Sequence, residues 1–290
     1  MYIVNLSSMP LDKLTIYHIK ERVRMENTIT SRENKIIKSA IKVSSSSKER
    51  KEKRLFFIEG LRLSLDALQS NIYIEKFFYT KKAKEKWQES IAFLKDSACQ
   101  SYIIDEGISS YLSDTKTPQG VFCICRVLDK QFDLDKIGNR RLIIALENIQ
   151  DPSNMGSIIR TAEALGINAL MLSNDCCDIY SPKVLRGSMG GVFRMDFFKV
   201  DSFKDAICKL NHMGIKTYAS VPSDSAEKIT KISFSSSPSL VAIGNEGNGL
   251  KKETIDVCSQ RITIPMLGRA ESLNASVAAS IIMWEMTRNR

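Results

Sequence analysis

Short apolar runs, each followed by a polar loop and then a helical pattern, constrain this chain more than any other feature. Residues 142–146 form one such run. A loop over 147–154 leads from it into a helix pattern at 155–165, which Gly166 closes in the manner of a helix C-terminus. A second strand is predicted at 169–172. Others follow at 217–220, 240–243 and 262–264, with helices between them and a last helix from Asn274 to about Arg288. Apolar strands alternating with helices predict an α/β fold with a mostly parallel sheet.

The segment before it reads as a smaller α/β unit over residues 31–127. Residues 32–43 are helical, with Ile36, Ile37 and Ala40 on one face, and the serines of 44–47 break the pattern. Strands are predicted at 55–58, 74–79, 101–104 and 120–127, and helices at 61–68 and 82–94. Alternation in the last strand puts Cys123 and Cys125 on one face. A charged linker, 128–140, separates this unit from residues 141–290. Residues 1–30 read as a polar extension without an assigned role.

A chain of 290 residues can bury a core without disulfide or metal staples. Its 43% apolar and 26% charged residues exclude global disorder. No apolar run has the roughly 18 residues of a membrane helix, and no secretory signal is visible. The seven cysteines are odd in number and contain no C-x-x-C pair, which fits buried, reduced thiols in the cytoplasm. With only His18 and His212 to help, neither a zinc site nor a histidine triad is expected, and no metal is called for. The dinucleotide fingerprint, the phosphate loop, the nucleophile elbow and H-E-x-x-H are all absent.

The net charge of +9 is unevenly placed. Residues 1–54 hold 13 Lys and Arg against 6 Asp and Glu, whereas residues 131–290 hold 19 against 17. A localised basic segment suits a polyanion such as nucleic acid, and a solvated lysine-rich helix face is the plain alternative.

Three loops beyond predicted strands carry polar groups where α/β sheets bind ligands. The first is Asp151-Pro152-Ser153-Asn154-Met155-Gly156 with Arg160; there Asn154 can cap the helix, and Arg160 can reach toward its start. The second, Gly244-Asn245-Glu246-Gly247-Asn248-Gly249, has glycines that would let the backbone approach a ligand closely. The third is Ile264-Pro265-Met266 followed by Ser272-Leu273-Asn274, where Ser272 could cap the last helix and Asn274 point back at the loop. Each also reads plainly as a capped helix or a flexible turn.

In this order the three segments resemble the SpoU (TrmH) branch of the SPOUT RNA methyltransferases, with N-x-G-x(3)-R, G-x-E-G-x-G and I-P-M…S-L-N in register over about 141–290. The segment from Ser181-Pro182 to Gly190 also looks like the family's. Asn34, Lys35, Arg50 and Phe57-Ile58-Glu59-Gly60 make the preceding unit similar to the family's L30e-like substrate-binding domain. The resemblance implies a trefoil knot in the C-terminal domain, S-adenosylmethionine as methyl donor, and transfer to a ribose 2'-hydroxyl. It implies catalytic roles for Asn154, Arg160, Glu246, Ser272 and Asn274, with Glu246 fixing its loop or pairing with Arg160. Gly244, Ile264, Met266 and Leu273 would contact the cofactor. It also implies a homodimer acting on structured RNA, with 23S rRNA favoured, tRNA possible, and a non-catalytic RNA-binding protein as the rival from another class. The basic surplus then reads as a docking surface for phosphates, carried by Arg32, Lys35, Lys48, Arg50, Lys51, Lys53 and Arg54.

Overall fold

The structure, a computed structural model, describes residues 27–128 and 142–288. Residues 129–140 of the expected linker and residues 1–26 of the expected extension lie outside the described residues.

The first sheet has five strands: β1 (Asn27–Ile29), β2 (Leu55–Glu59), β3 (Ile74–Thr80), β4 (Gln100–Ile104) and β5 (Val121–Arg126), in the order β1-β4-β3-β5-β2. β1, β4 and β3 run parallel, whereas β5 is antiparallel to both β3 and β2. β1 falls inside the segment read as an extension, and pairing of Asn27 with Tyr102 draws it into the sheet. Between the strands lie α1 (Lys35–Ser45), α2 (Ser47–Lys53), α3 (Leu61–Gln69), α4 (Lys81–Lys86), α5 (Gln88–Ser97) and α6 (Glu106–Leu112). The one helix expected at 82–94 is therefore two. Trp87 leaves helical geometry at φ −133° and ψ 52°, and its indole packs against the core while Lys86 Nζ sits 4.7 Å from the ring centre.

Strand alternation sorts this sheet's side chains into two layers. Phe57, Phe78, Phe122 and Ile124 meet Ile37, Ala40 and Val43 of α1 on one face. Phe56, Ile58, Phe77, Cys123 and Cys125 meet α3 and α5 on the other. Cys123 and Cys125 do share a face, and burial pushes the Cys125 thiol pKa up. Cys99, by contrast, is exposed rather than buried.

The second sheet comprises β6 (Leu142–Leu146), β7 (Ala169–Ser173), β8 (Asp196–Val200), β9 (Lys216–Ser220), β10 (Glu227–Lys228), β11 (Ser239–Ile243) and β12 (Gln260–Thr263). Its order is β10-β12-β9-β11-β6-β7-β8, and every pairing is parallel. Helices α7 (Pro152–Ala164), α8 (Pro182–Ser188), α9 (Gly191–Arg194), α10 (Phe203–His212), α11 (Lys252–Val257) and α12 (Ala275–Thr287) connect and cover it. α10 and α11 close one face over Ile143, Ala145, Met171 and Ala242; α7, α8 and α12 close the other over Ile144, Leu146, Val241 and Ile243. Burial on both faces is what makes these strands continuous apolar runs.

The two units share one core. Phe56 of β2 stacks on Tyr180 at 4.8 Å and lies 6.0 Å from Phe193. Beside it, Arg50 is buried: Nε donates to Asp178 Oδ2 at 2.7 Å, and Nη1 donates to the carbonyls of Val43 and Ser44, both at 2.8 Å. This corrects its expected role in holding phosphate. Arg50 closes the C-terminal end of α1 and ties it to the loop before α8. Breaking one side of a buried, hydrogen-bonded pair costs about 3–5 kcal/mol. Arg50→Met is therefore expected to lower unfolding free energy by that order in urea titrations, with Asp178→Asn lowering it similarly.

Candidate active site

The loops expected to carry chemistry converge at the carboxyl ends of β6, β11 and β12. α7 begins earlier than expected, at Pro152, because proline suits the first helical turn and Asp151 caps it, accepting from Ser153 N at 2.8 Å. Asn154 is thus not the cap. It lies within the first turn, 7% exposed, where its side chain links the other two loops. Its Nδ2 donates to Glu246 Oε1, and its Oδ1 accepts from Asn274 Nδ2 at 3.0 Å. Asn274, not Ser272, caps α12, its Oδ1 accepting from Ser276 N at 2.9 Å and Val277 N at 3.4 Å. Ser272 is exposed two residues ahead of that cap.

Glu246 therefore fixes its loop through Asn154 and not through Arg160. Arg160 is exposed on α7 and has no ion-pair partner among the described residues. A guanidinium left open to solvent on the helix that carries Asn154 is available for an anionic group.

At Gly244 the chain approaches itself closely. A Cβ there would lie 2.1 Å from the carbonyl carbon of Gly249 and 2.2 Å from Leu250 N. The close approach is made by the loop's own return: Asn245 and Gly249 exchange backbone hydrogen bonds of 3.1 and 2.9 Å, and Gly249 adopts φ +65°. Asn245 braces the turn from inside, accepting from Gly247 N at 2.8 Å and donating to Asn148 O at 2.9 Å. Gly156 serves packing in the same way, because a Cβ would meet Gly187 Cα of α8 at 3.0 Å.

Glu147 was not singled out in the sequence. It is 1% exposed and accepts from Lys251 N and Thr254 Oγ1, both at 2.8 Å, so it caps α11 from the end of β6. A charged residue directly after an apolar strand was the available signal. Asn148 follows it at φ +57°, a left-handed geometry that asparagine tolerates.

Ile264 and Leu273 are half-buried at the two ends of the third loop, and Met266 is 36% exposed. Between them, residues 265–273 make no backbone–backbone hydrogen bond among the described residues. Free main-chain donors and acceptors beside two apolar side chains fit the flat, hydrogen-bonding edge of an adenine. No group of His, Cys, Asp and Glu capable of holding a metal occurs among the described residues.

Asn154→Asp keeps the shape of the side chain but exchanges the donor facing Glu246 for a carboxylate oxygen. It is expected to destabilise the protein by about 1–3 kcal/mol, read as a lower denaturation midpoint. Gly244→Ala is expected to lower the midpoint even without any ligand, because the clash is internal.

Comparison with known proteins follows the same lines. Residues 141–284 match the SpoU rRNA Methylase family, and residues 34–123 match the MRM3-like substrate binding domain. The 23S rRNA (guanosine(2553)-2'-O)-methyltransferase RlmP of Bacillus subtilis is 29% identical over 260 residues, covering 89% of this chain and 98% of that protein. The 23S rRNA (guanosine-2'-O-)-methyltransferase RlmB of Acinetobacter baylyi is 33% identical over 179 residues, covering 59% and 71%. The crystal structure of an AdoMet-bound rRNA methyltransferase from Sinorhizobium meliloti superposes with a TM-score of 0.80 at 26% identity, over 91% of this chain and 98% of that one. Two modules, three convergent loops and these relatives lead to one assignment: the chain belongs to the SpoU rRNA methylase family.

Proposed function

We propose that this protein transfers a methyl group from S-adenosylmethionine to a ribose 2'-hydroxyl of 23S rRNA. The observation that carries this reading is the convergence of Asn154, Glu246 and Asn274, with the exposed Arg160 further along the same helix as Asn154. The curated relatives RlmP and RlmB bear 23S rRNA ribose methylation in their names, which favours rRNA over tRNA. In this reading residues 31–127 bind the RNA and residues 141–290, with the knotted path the resemblance implies, perform the transfer. In this reading the protein works in the cytoplasm.

The donor, when bound, supplies an already activated methyl group. The chain's task is then alignment and charge. Ile264, Met266 and Leu273 hold the adenosyl part with the free backbone of their loop, and Gly244 keeps the neighbouring loop closed against it. A guanidinium carries donors and no acceptor, so Arg160 does not take the proton itself. It grips a phosphate next to the target, which takes the proton of the 2'-hydroxyl as the methyl group is transferred, and stabilises alkoxide character at the 2'-oxygen. Asn154 and Asn274 hold the loops that orient the ribose, and Ser272, exposed on the third loop, is free to contact it.

The docking surface is narrower than charge alone implied. Lys48 and Lys53 pair with Glu52 and Glu49 within α2, at 3.8 and 2.7 Å. Arg32 donates to Gly107 O at 3.2 Å and lies 5.2 Å from the centre of the Tyr111 ring. Lys35 and Lys51 are exposed, as is Arg54 at the left-handed end of α2. These three, with Arg32, are the proposed phosphate contacts.

The homodimer rests on α12. Ala275, Ala279, Ile282 and Met283 face the core, while Val277, Ile281 and Trp284 are 47%, 38% and 59% exposed along the opposite side. An apolar stripe at positions i, i+4 and i+7 suits a second copy of the same helix. Trp284→Glu is expected to give a monomer by light scattering; an unchanged mass would remove this interface.

Arg160→Ala is expected to reduce methyl transfer to 23S rRNA by at least a hundredfold while S-adenosylmethionine affinity, measured by calorimetry, stays within a few-fold. Full transfer activity in that variant would exclude the role given to Arg160.

A further inference from the structure

Glu147 and Asn148, the two residues that follow β6, hold the Gly244–Gly249 loop along its whole length. Glu147 N donates to Ile243 O at 2.9 Å, just before the loop. Asn148 O accepts from Asn245 Nδ2 at 2.9 Å, inside it. Glu147 Oε2 accepts from Lys251 N at 2.8 Å, just after it. The end of β6 therefore sets where the loop starts, turns and stops.

The middle hold depends on the left-handed backbone of Asn148, at φ +57°. A residue with a side chain keeps that geometry only where its surroundings fix it. Two side chains do so here. Asn148 N donates to Ser173 Oγ at 2.9 Å, and Asn148 Oδ1 accepts from Gln150 Nε2 at 2.9 Å. Gln150 is exposed, so water competes for its amide, whereas Ser173 at the end of β7 is buried. The serine hydroxyl is the firmer hold.

That hydroxyl is itself oriented. A serine has one hydrogen to give and lone pairs to receive. Here the hydrogen goes to Asp175 Oδ1, which leaves a lone pair for Asn148 N. Asp175 Oδ2 lies 3.3 Å from Lys251 Nζ, on the same residue whose backbone N is held by Glu147. The contacts thus form a circuit from Asn148 through Ser173, Asp175 and Lys251 back to Glu147. The glycine-rich loop is joined to it at Asn245 and at Lys251. Ser173 and Asp175 belong to none of the three loop motifs.

We propose that Ser173 is a positioning residue for cofactor binding. Its hydroxyl keeps Asn148 left-handed, and Asn148, through Asn245, keeps the Gly244–Gly249 loop in the form that receives S-adenosylmethionine. The proposal rests on the methyltransferase reading for the identity of the ligand, but the hold on the loop can be measured without any ligand. When the hydroxyl is removed, the loop samples other arrangements, and apparent affinity falls with the fraction still competent to bind. Once the cofactor is bound the loop is ordered again, so the transfer step itself is unchanged.

Three variants test this. Ser173→Ala removes the acceptor. Asn148→Val leaves it but places a β-branched side chain at positive φ, which such residues avoid. Asn148→Gly takes that φ freely and keeps both backbone bonds. Each is studied well below its melting temperature, by calorimetry with S-adenosylmethionine and by methyl transfer to 23S rRNA. Amide hydrogen exchange is followed at Gly247 and Asn248, whose N–H groups donate to Asn245 Oδ1. In Ser173→Ala and Asn148→Val, S-adenosylmethionine affinity is expected to fall about tenfold and its KM to rise equally, with kcat at saturation within about twofold. Both amides exchange faster in these two, and Asn148→Gly behaves as the wild type. A merely structural role would lower the melting temperature and leave the affinity of the folded protein unchanged. Unchanged affinity in Ser173→Ala, whatever the exchange shows, would overturn the proposal; should that variant not fold, Asn148→Val decides in the same way. If the wild-type protein binds no S-adenosylmethionine, the methyltransferase reading fails and amide exchange decides alone. Faster exchange in Ser173→Ala would then sustain the hold on the loop, and unchanged exchange would remove it.

Discussion

The carboxyl edge of the second sheet depends on one carboxamide. Asn154 is the only residue of the three loops whose side chain is seen to donate to one loop and accept from another at once. An aspartate could not donate, and a hydrophobic residue could do neither. Because Asn154 sits in the first turn of α7, its position is set by the helix rather than by the loops it joins. Glu246 and Asn274 are in turn placed by it, and Asn274 starts α12. A site assembled from three distant stretches of chain is thereby tied to one rigid element, which is what aligning two reactants requires.

A second dependence runs between the units. Phe56, Tyr180 and Phe193 form a shared aromatic layer, and Arg50 with Asp178 seals its edge. An RNA held by the first unit would be presented to the loops by a continuous core and not by the linker alone. The Arg186 contacts to Glu59 and Asp114 lie on the same boundary. The junction is thus a structural seam held by charge pairs as well as by packing.

Much of this was readable in the chain before its structure. Strands β6, β7, β9, β11 and β12 follow from their apolar runs, and the three loop motifs lie where strand ends place them. What escaped has local causes. β1 has three residues, too few for any periodicity, and exists through its pairing with β4. β8 is interrupted by Asp196 and Lys199, as suits the edge of a sheet. Asn154 was read as a cap because asparagine favours that position, but the helix starts at Pro152, three residues sooner, with Asp151 as its cap. Arg50 looked like its neighbours Lys48, Lys51 and Lys53, and only its tertiary partners, 128 residues away in Asp178 and in the end of α1, take it out of solvent. Gly244 signalled a close approach, and the loop's own return makes one.

The central claim is that the three loops form a ribose-directed methyl-transfer site. Its most direct test is incubation of the purified protein with methyl-labelled S-adenosylmethionine and unmodified 23S rRNA, followed by nuclease digestion and mass spectrometry of the nucleosides. The account predicts label in a single 2'-O-methylated nucleoside. Label on a base, or no incorporation into rRNA at all, would contradict it.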